Sequence, residues 1–176
     1  MIILEILKYT LPSVVVFLTS FYLLKQQNEK DLKVKELEDD IDRRKNTNQV
    51  LLPIRLQAYE RMTLFLERVH PHQLIIRNNK PGLNAMLFQS ILIKAIRDEF
   101  EHNLSQQLYV SDVAWTKVQK AKEECIKQIN FSASKVDSQS SANDLGTLVI
   151  QNFSHINPNP IQVAINQLKS DVQKGL

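Results

Sequence analysis

The chain is poor in cysteine, glycine and aromatic residues: one Cys, three Gly and 7% Phe, Trp and Tyr among 176 residues. A single thiol, Cys125, cannot close an intramolecular disulfide, which fits a reducing compartment and a role as a small apolar core residue. Three glycines leave no Gly-rich loop to cradle phosphates and few of the tight turns that a sheet requires. No Ser/His/Asp set is visible either. The net charge is only +3, with basic residues interspersed among acids, so no nucleic-acid footprint is expected. What is plentiful is Leu, Ile, Gln, Lys and Glu, a composition that favours helices. The expected class is all-α.

Charge is also missing from Tyr9 to Leu24, and extending back to Ile2 admits only Glu5 and Lys8. That length meets the roughly 20 residues needed for a bilayer span. A cleaved signal peptide would need a basic start and a small-x-small cleavage site, and neither is present. Residues 1–24 are therefore expected to be a transmembrane anchor, with Pro12 tolerated near its first turns. Lys25, Lys30, Lys33 and Lys35 follow on the C-terminal side, whereas Lys8 stands alone on the other. This bias predicts an outside N-terminus and a cytoplasmic body.

Residues 25–49 carry acid-first pairs four apart: Glu29 with Lys33, Asp31 with Lys35, Asp39 with Arg43 and Asp40 with Arg44. Such pairs support an exposed helix, here a charged stalk. Val34, Leu37 and Ile41 add a thin 3-4 seam that a short coiled coil could use, although Arg44 and Asn48 interrupt it. Asn46, Thr47 and Asn48 predict a break.

Residues 50–131 are read as an antiparallel bundle of three main helices. The first should start at Pro53 and end near His70, since Pro71 disfavours helical geometry before it. Its apolar face is Leu51, Ile54, Ala58, Met62, Phe65, Leu66 and Val69. A short turn at Gln73 to Arg77 and the breakers Asn78, Asn79, Pro81 and Gly82 lead to a second helix, capped by Asn84 and reaching about Leu108. A third follows Ser111 to about Asn130, with Trp115, Val118, Ala121, Cys125 and Ile129 buried. The Ser-rich stretch 132–143 reads as a mobile loop. Two shorter helices occupy 144–176, one from Asp144 and one from Pro160, and they either complete the core or face a partner.

Arg55 and Glu99 are the charged exceptions on the apolar faces of the first two helices. If Val69 lies near Ala85, a hairpin register places Arg55 opposite Glu99 and predicts a partly buried ion pair.

The apolar start, the charged stalk, LLPIRLQAYERMTLFLERVHP and IRDEFEHNLSQQLYVSDVAWTKVQKAKEE together resemble a family of small membrane-anchored helical proteins of Bacteroidetes-type bacteria with no known activity. The resemblance covers most of residues 1–130 and implies a bacterial inner-membrane setting. It carries no functional residue.

Two constellations suggest chemistry. Arg97 and His102 have the R-x4-H spacing of HEPN-type ribonucleases, which they resemble, but five residues place them about 140° apart on one helix. Glu67 with His70 and Glu99 with His102 repeat an E-x-x-H spacing used in di-iron bundles, yet the two histidines fall at opposite ends of the hairpin. No metal or cofactor is expected from them. The sequence thus points to a membrane-anchored interaction or scaffold module with the bilayer and a protein partner or second copy as its contacts. A tethered ribonuclease using Arg97 and His102 is the alternative.

Overall fold

A computed structural model describes the backbone of residues 2–175 and the side chains of residues 15–175, except those at 28, 29, 31, 32, 36, 40, 44 and 46. The described residues form α1 (Ile2–Val69), α2 (Pro71–Asn78), α3 (Ala85–His102), a 3-10 helix (Leu104–Leu108), α4 (Asp112–Ala133), α5 (Ala142–Ser154) and α6 (Pro160–Gln173), with no strand among them. The all-α expectation holds.

The break expected at Asn46 to Asn48 does not occur, because α1 passes through it without interruption. Asn and Thr cost a helix only tenths of a kcal/mol each, about 0.7 at most, and neither Gly nor Pro stands among them. Pro53, expected at the first helical position, lies inside α1 instead. It has no N–H to give the carbonyl of Gln49, which is exposed and open to water.

The chain divides into two compact units, Met1–Val50 and Leu51–Leu176. In the first, every described side chain is exposed. Among the described residues no helix is long and apolar enough to cross a membrane. Residues 1–14, the first part of the predicted anchor, lie outside those whose side chains are described.

The second unit is the bundle, and α4 is its hub, packed against α3, α5 and α6. Ala114, Val118, Ala121, Cys125 and Ile129 repeat at helical spacing, all but completely buried. The small ones among them let neighbouring helices approach closely. Ala114 rather than Trp115 occupies the buried stripe, and Trp115 lies half-buried with its ring stacked on Phe100 at 5.3 Å. Phe88, Leu92 and Ile96 of α3 and Met62, Phe65 and Leu66 of α1 are fully buried, the last three on the face that the apolar spacing predicted. Each contributes on the order of 1.5–3 kcal/mol of hydrophobic stabilisation. Leu51 and Ile54, expected on the same face, are exposed.

α5 and α6 complete this core through Leu145, Val149, Phe153, Ile161, Ala164 and Leu168. The Ser-rich stretch is also more ordered than its composition suggested. α4 runs on to Ala133, and the carbonyls of Ser138 and Ser140 accept from Met86 and Ala85, the first amides of α3. Those amides have no partner inside their own helix, so the segment supplies one. Asn84 and Ser141 form an isolated antiparallel bridge at the same place.

The hairpin register differs from the one predicted. Phe65 packs on Phe100 with ring centroids 5.7 Å apart, and Arg68 pairs with Glu99 at 2.8 Å. Arg55 instead donates from Nε to the Tyr109 carbonyl at 3.5 Å. The Arg55–Glu99 pair therefore does not form, and the register is displaced by roughly three helical turns. The cause is the connection, since α2 is a packed helix with Leu74 and Ile75 in the core rather than a short turn. It moves the start of α3 away from the end of α1.

Candidate functional site

A polar concavity of the bundle lies between α1 and the C-terminal end of α3. It is an open groove of about 520 Å³ lined by Gln57, Glu60, Arg61, Leu64 and Arg68 on one side and Glu99, His102 and Asn103 on the other. Helical spacing explains the first set: residues 57, 60, 61, 64 and 68 share one face of α1, adjoining the buried face of Ala58, Met62 and Phe65. On the opposite wall, Asn103 ends α3 and its side chain donates to the Glu99 carbonyl at 2.8 Å. This fixes the wall beside the Arg68–Glu99 ion pair.

His102 has its Nδ1 at 2.6 Å from the Asp98 carbonyl. A carbonyl can only accept, so Nδ1 carries the proton and Nε2 of the neutral ring keeps its lone pair. Arg97 is exposed and is not among the groove-lining residues. The two residues of the R-x4-H spacing are thus not brought together on one wall. The groove matches a mixed-charge surface better than a single anion, because Arg61 and Arg68 are balanced by Glu60 and Glu99.

The E-x-x-H pairs also separate. His70 packs edge-on against Phe153 with centroids 5.7 Å apart. Burial lowers its pKa, against the opposing charge of Glu67 and with a smaller contribution from His72. Among the described residues no three His, Cys, Asp or Glu side chains stand close enough to hold a metal.

A second polar cluster, absent from the sequence expectations, joins α1, α4 and α6. Asp171 Oδ2 accepts from Ser111 Oγ at 2.5 Å and from Tyr59 OH at 3.2 Å, and Oδ1 accepts from Gln167 Nε2 at 2.7 Å. Tyr59 OH in turn accepts from the Ser111 amide at 3.1 Å, while Ser111 Oγ caps α4 through the Ala114 amide. Burial alone would raise the Asp171 pKa. Hydrogen bonds from Ser111, Gln167 and Tyr59, with Lys174 nearby, outweigh it and lower the value. A carboxylate this well satisfied is a poor base, so the cluster is a structural clasp rather than an activated serine. Its signal in the sequence was a Tyr at the edge of one apolar face and an Asp at the end of another.

Together these features define an all-helical bundle protein with a charge-balanced groove, in which no buried side-chain polar atom lacks a partner among the described residues. The chain belongs to a family of unknown function, DUF7935, whose model matches residues 1–175. No curated protein and no solved structure matches it.

Proposed function

We propose that this protein is a membrane-tethered helical interaction module. Residues 1–24 hold it in a bacterial inner membrane as a single span with the N-terminus outside, and the bundle works at the cytoplasmic face by recruiting a protein partner. The observation that carries the tether is the segment Val15–Leu24. Eight of its ten residues are large apolar side chains, each 50–69% exposed. In water such a cylinder forfeits on the order of 1.5–3 kcal/mol for every side chain that could be buried. In lipid it does not.

Thr19 in the segment suits that setting, since its Oγ1 lies at 2.9 Å from both the Val15 and Val16 carbonyls. A hydroxyl satisfied within its own helix asks nothing of the bilayer. The lysines from Lys25 to Lys35 supply the orientation. The groove between α1 and α3 is where a partner of mixed charge would dock, with Arg61 an exposed cation on its α1 wall.

Fractionation tests the tether: the chain should resist a carbonate wash of membranes and be released from them when residues 1–24 are deleted. Protease added to inverted vesicles should digest the bundle, and protection would reverse the orientation. A protein that co-purifies with the intact chain in detergent and is lost in Arg61→Glu would support the groove. RNA cleavage by the intact chain that disappears in His102→Ala would replace the module with a ribonuclease.

A further inference from the structure

The stalk segment of α1 carries a row of apolar side chains that nothing in the described structure covers. Val34, Leu37 and Ile41 follow one another at spacings of three and four residues, so they lie on one face of the helix, and they are 52%, 63% and 50% exposed. We propose that this face pairs with the same face of a second copy of the chain as a parallel, two-stranded coiled coil, with Val34, Leu37, Ile41 and Asn48 along the seam.

The heptad that fits has Val34, Ile41 and Asn48 at a and Leu37 at d. β-branched residues at a with Leu at d favour two strands over three or four, and a single Asn at a fixes the register by pairing with its own copy. The flanking charges choose both the occupant and its direction. Lys33 at g faces Glu38 at e of the second copy, and Asp40 at g faces Lys45 at e. Both interhelical pairs are therefore of opposite sign, and two-fold symmetry repeats each of them. An antiparallel arrangement centred on Leu37 against Ile41 would set Asp40 against Asp40 and Val34 against Arg44. The parallel arrangement places like apolar layers together instead. Arg44 occupies the remaining d position, and the repeat covers only about two heptads, so the association is weak and reversible.

The pairing does not rest on the membrane reading and is tested on the full chain in detergent micelles, with detergent in large excess so that chains share a micelle only when they pair. Leu37→Cys and Ile41→Cys place a thiol on the seam, and Asp39→Cys places one at f, on the outer face. Under mild oxidation with copper phenanthroline the first two should give a disulfide-linked dimer, several-fold more of it than Asp39→Cys. The buried Cys125 supplies the unreactive background. Equal cross-linking at all three positions, or none from Leu37→Cys, overturns the proposal. Analytical ultracentrifugation supplies the second arm. Lys33→Glu should raise the dimer dissociation constant several-fold, and adding Glu38→Lys should restore it. A double variant weaker than the single, or a trimer, overturns it as well.

Discussion

Asp171 collects hydrogen bonds from three side chains on three helices, and removing a donor leaves part of its charge unanswered. Tyr59→Phe is expected to cost on the order of 1.5–3 kcal/mol in urea unfolding, the usual range for a hydrogen bond to a charged group. The lowered pKa gives the sign with pH. The folded chain holds the Asp171 proton less tightly than the unfolded one, so this contribution is complete above the ordinary value of 3.8 and disappears as pH falls through the folded value. His70 behaves similarly in a higher window. Its depressed pKa means that the folded protein prefers the neutral ring, so stability is full above 6.5 and declines as pH falls through the folded value. His70→Gln should flatten the pH dependence of the melting temperature in that window, measured against the parent chain. Neither effect was legible in the sequence, where His70 stood only as a helix end before Pro71 and nothing singled out Asp171. Both draw on side chains that arrive from distant parts of the chain, Phe153 in one case and Ser111 with Tyr59 in the other.

Helix starts were the most legible elements. Asn84 and Ser111 cap α3 and α4 through side-chain oxygens that accept from the amides three residues on, and Pro160 opens α6 as expected, with Asn159 before it accepting from Ile161 and Gln162. Those signals are local, and local chemistry decides them. At α5 the cap was missed by three residues, because Ser141 and Asp144 form a reciprocal capping box inside what looked like a mobile serine run. Ser141→Ala should cost about 1 kcal/mol in chemical denaturation. Gly146 marks a different constraint within α5. A Cβ there would stand 3.2 Å from Cγ2 of Ile75 and 3.7 Å from Cε1 of Phe88. Gly146→Val is expected to destabilise the bundle by about 1–3 kcal/mol by overpacking, read as a lower denaturation midpoint. The same close fit between α2 and α5 explains why the hairpin register could not be read from sequence. Nothing in the periodicity of α1 and α3 reports that an eight-residue helix, α2, is packed between their ends.

At the scale of the molecule, the all-α class, the apolar faces of α1 and α3, and the completion of the core by α5 and α6 follow from helical periodicity. The single unbroken α1 did not, because weak helix formers such as Asn46 to Asn48 bend a prediction more easily than they bend a helix. Leu168, fully enclosed on α6, tests whether that last helix belongs to the cooperative unit: Leu168→Ala should cost on the order of 2–5 kcal/mol and shift one sharp melting transition. A biphasic melt would mean that α6 detaches first. The hub of this unit also contains the chain's only thiol. Cys125 is 1% exposed, and burial, with the charge of Glu124 adding to it, pushes its pKa up to about 12. At pH 8 roughly one such thiol in ten thousand is ionised, and reagents cannot reach it in the closed bundle. Modification must therefore wait for α4 to separate from α3, α5 and α6. The rate at which a thiol reagent labels the native protein becomes a clock for that opening, giving the free energy of the innermost helix without any added probe.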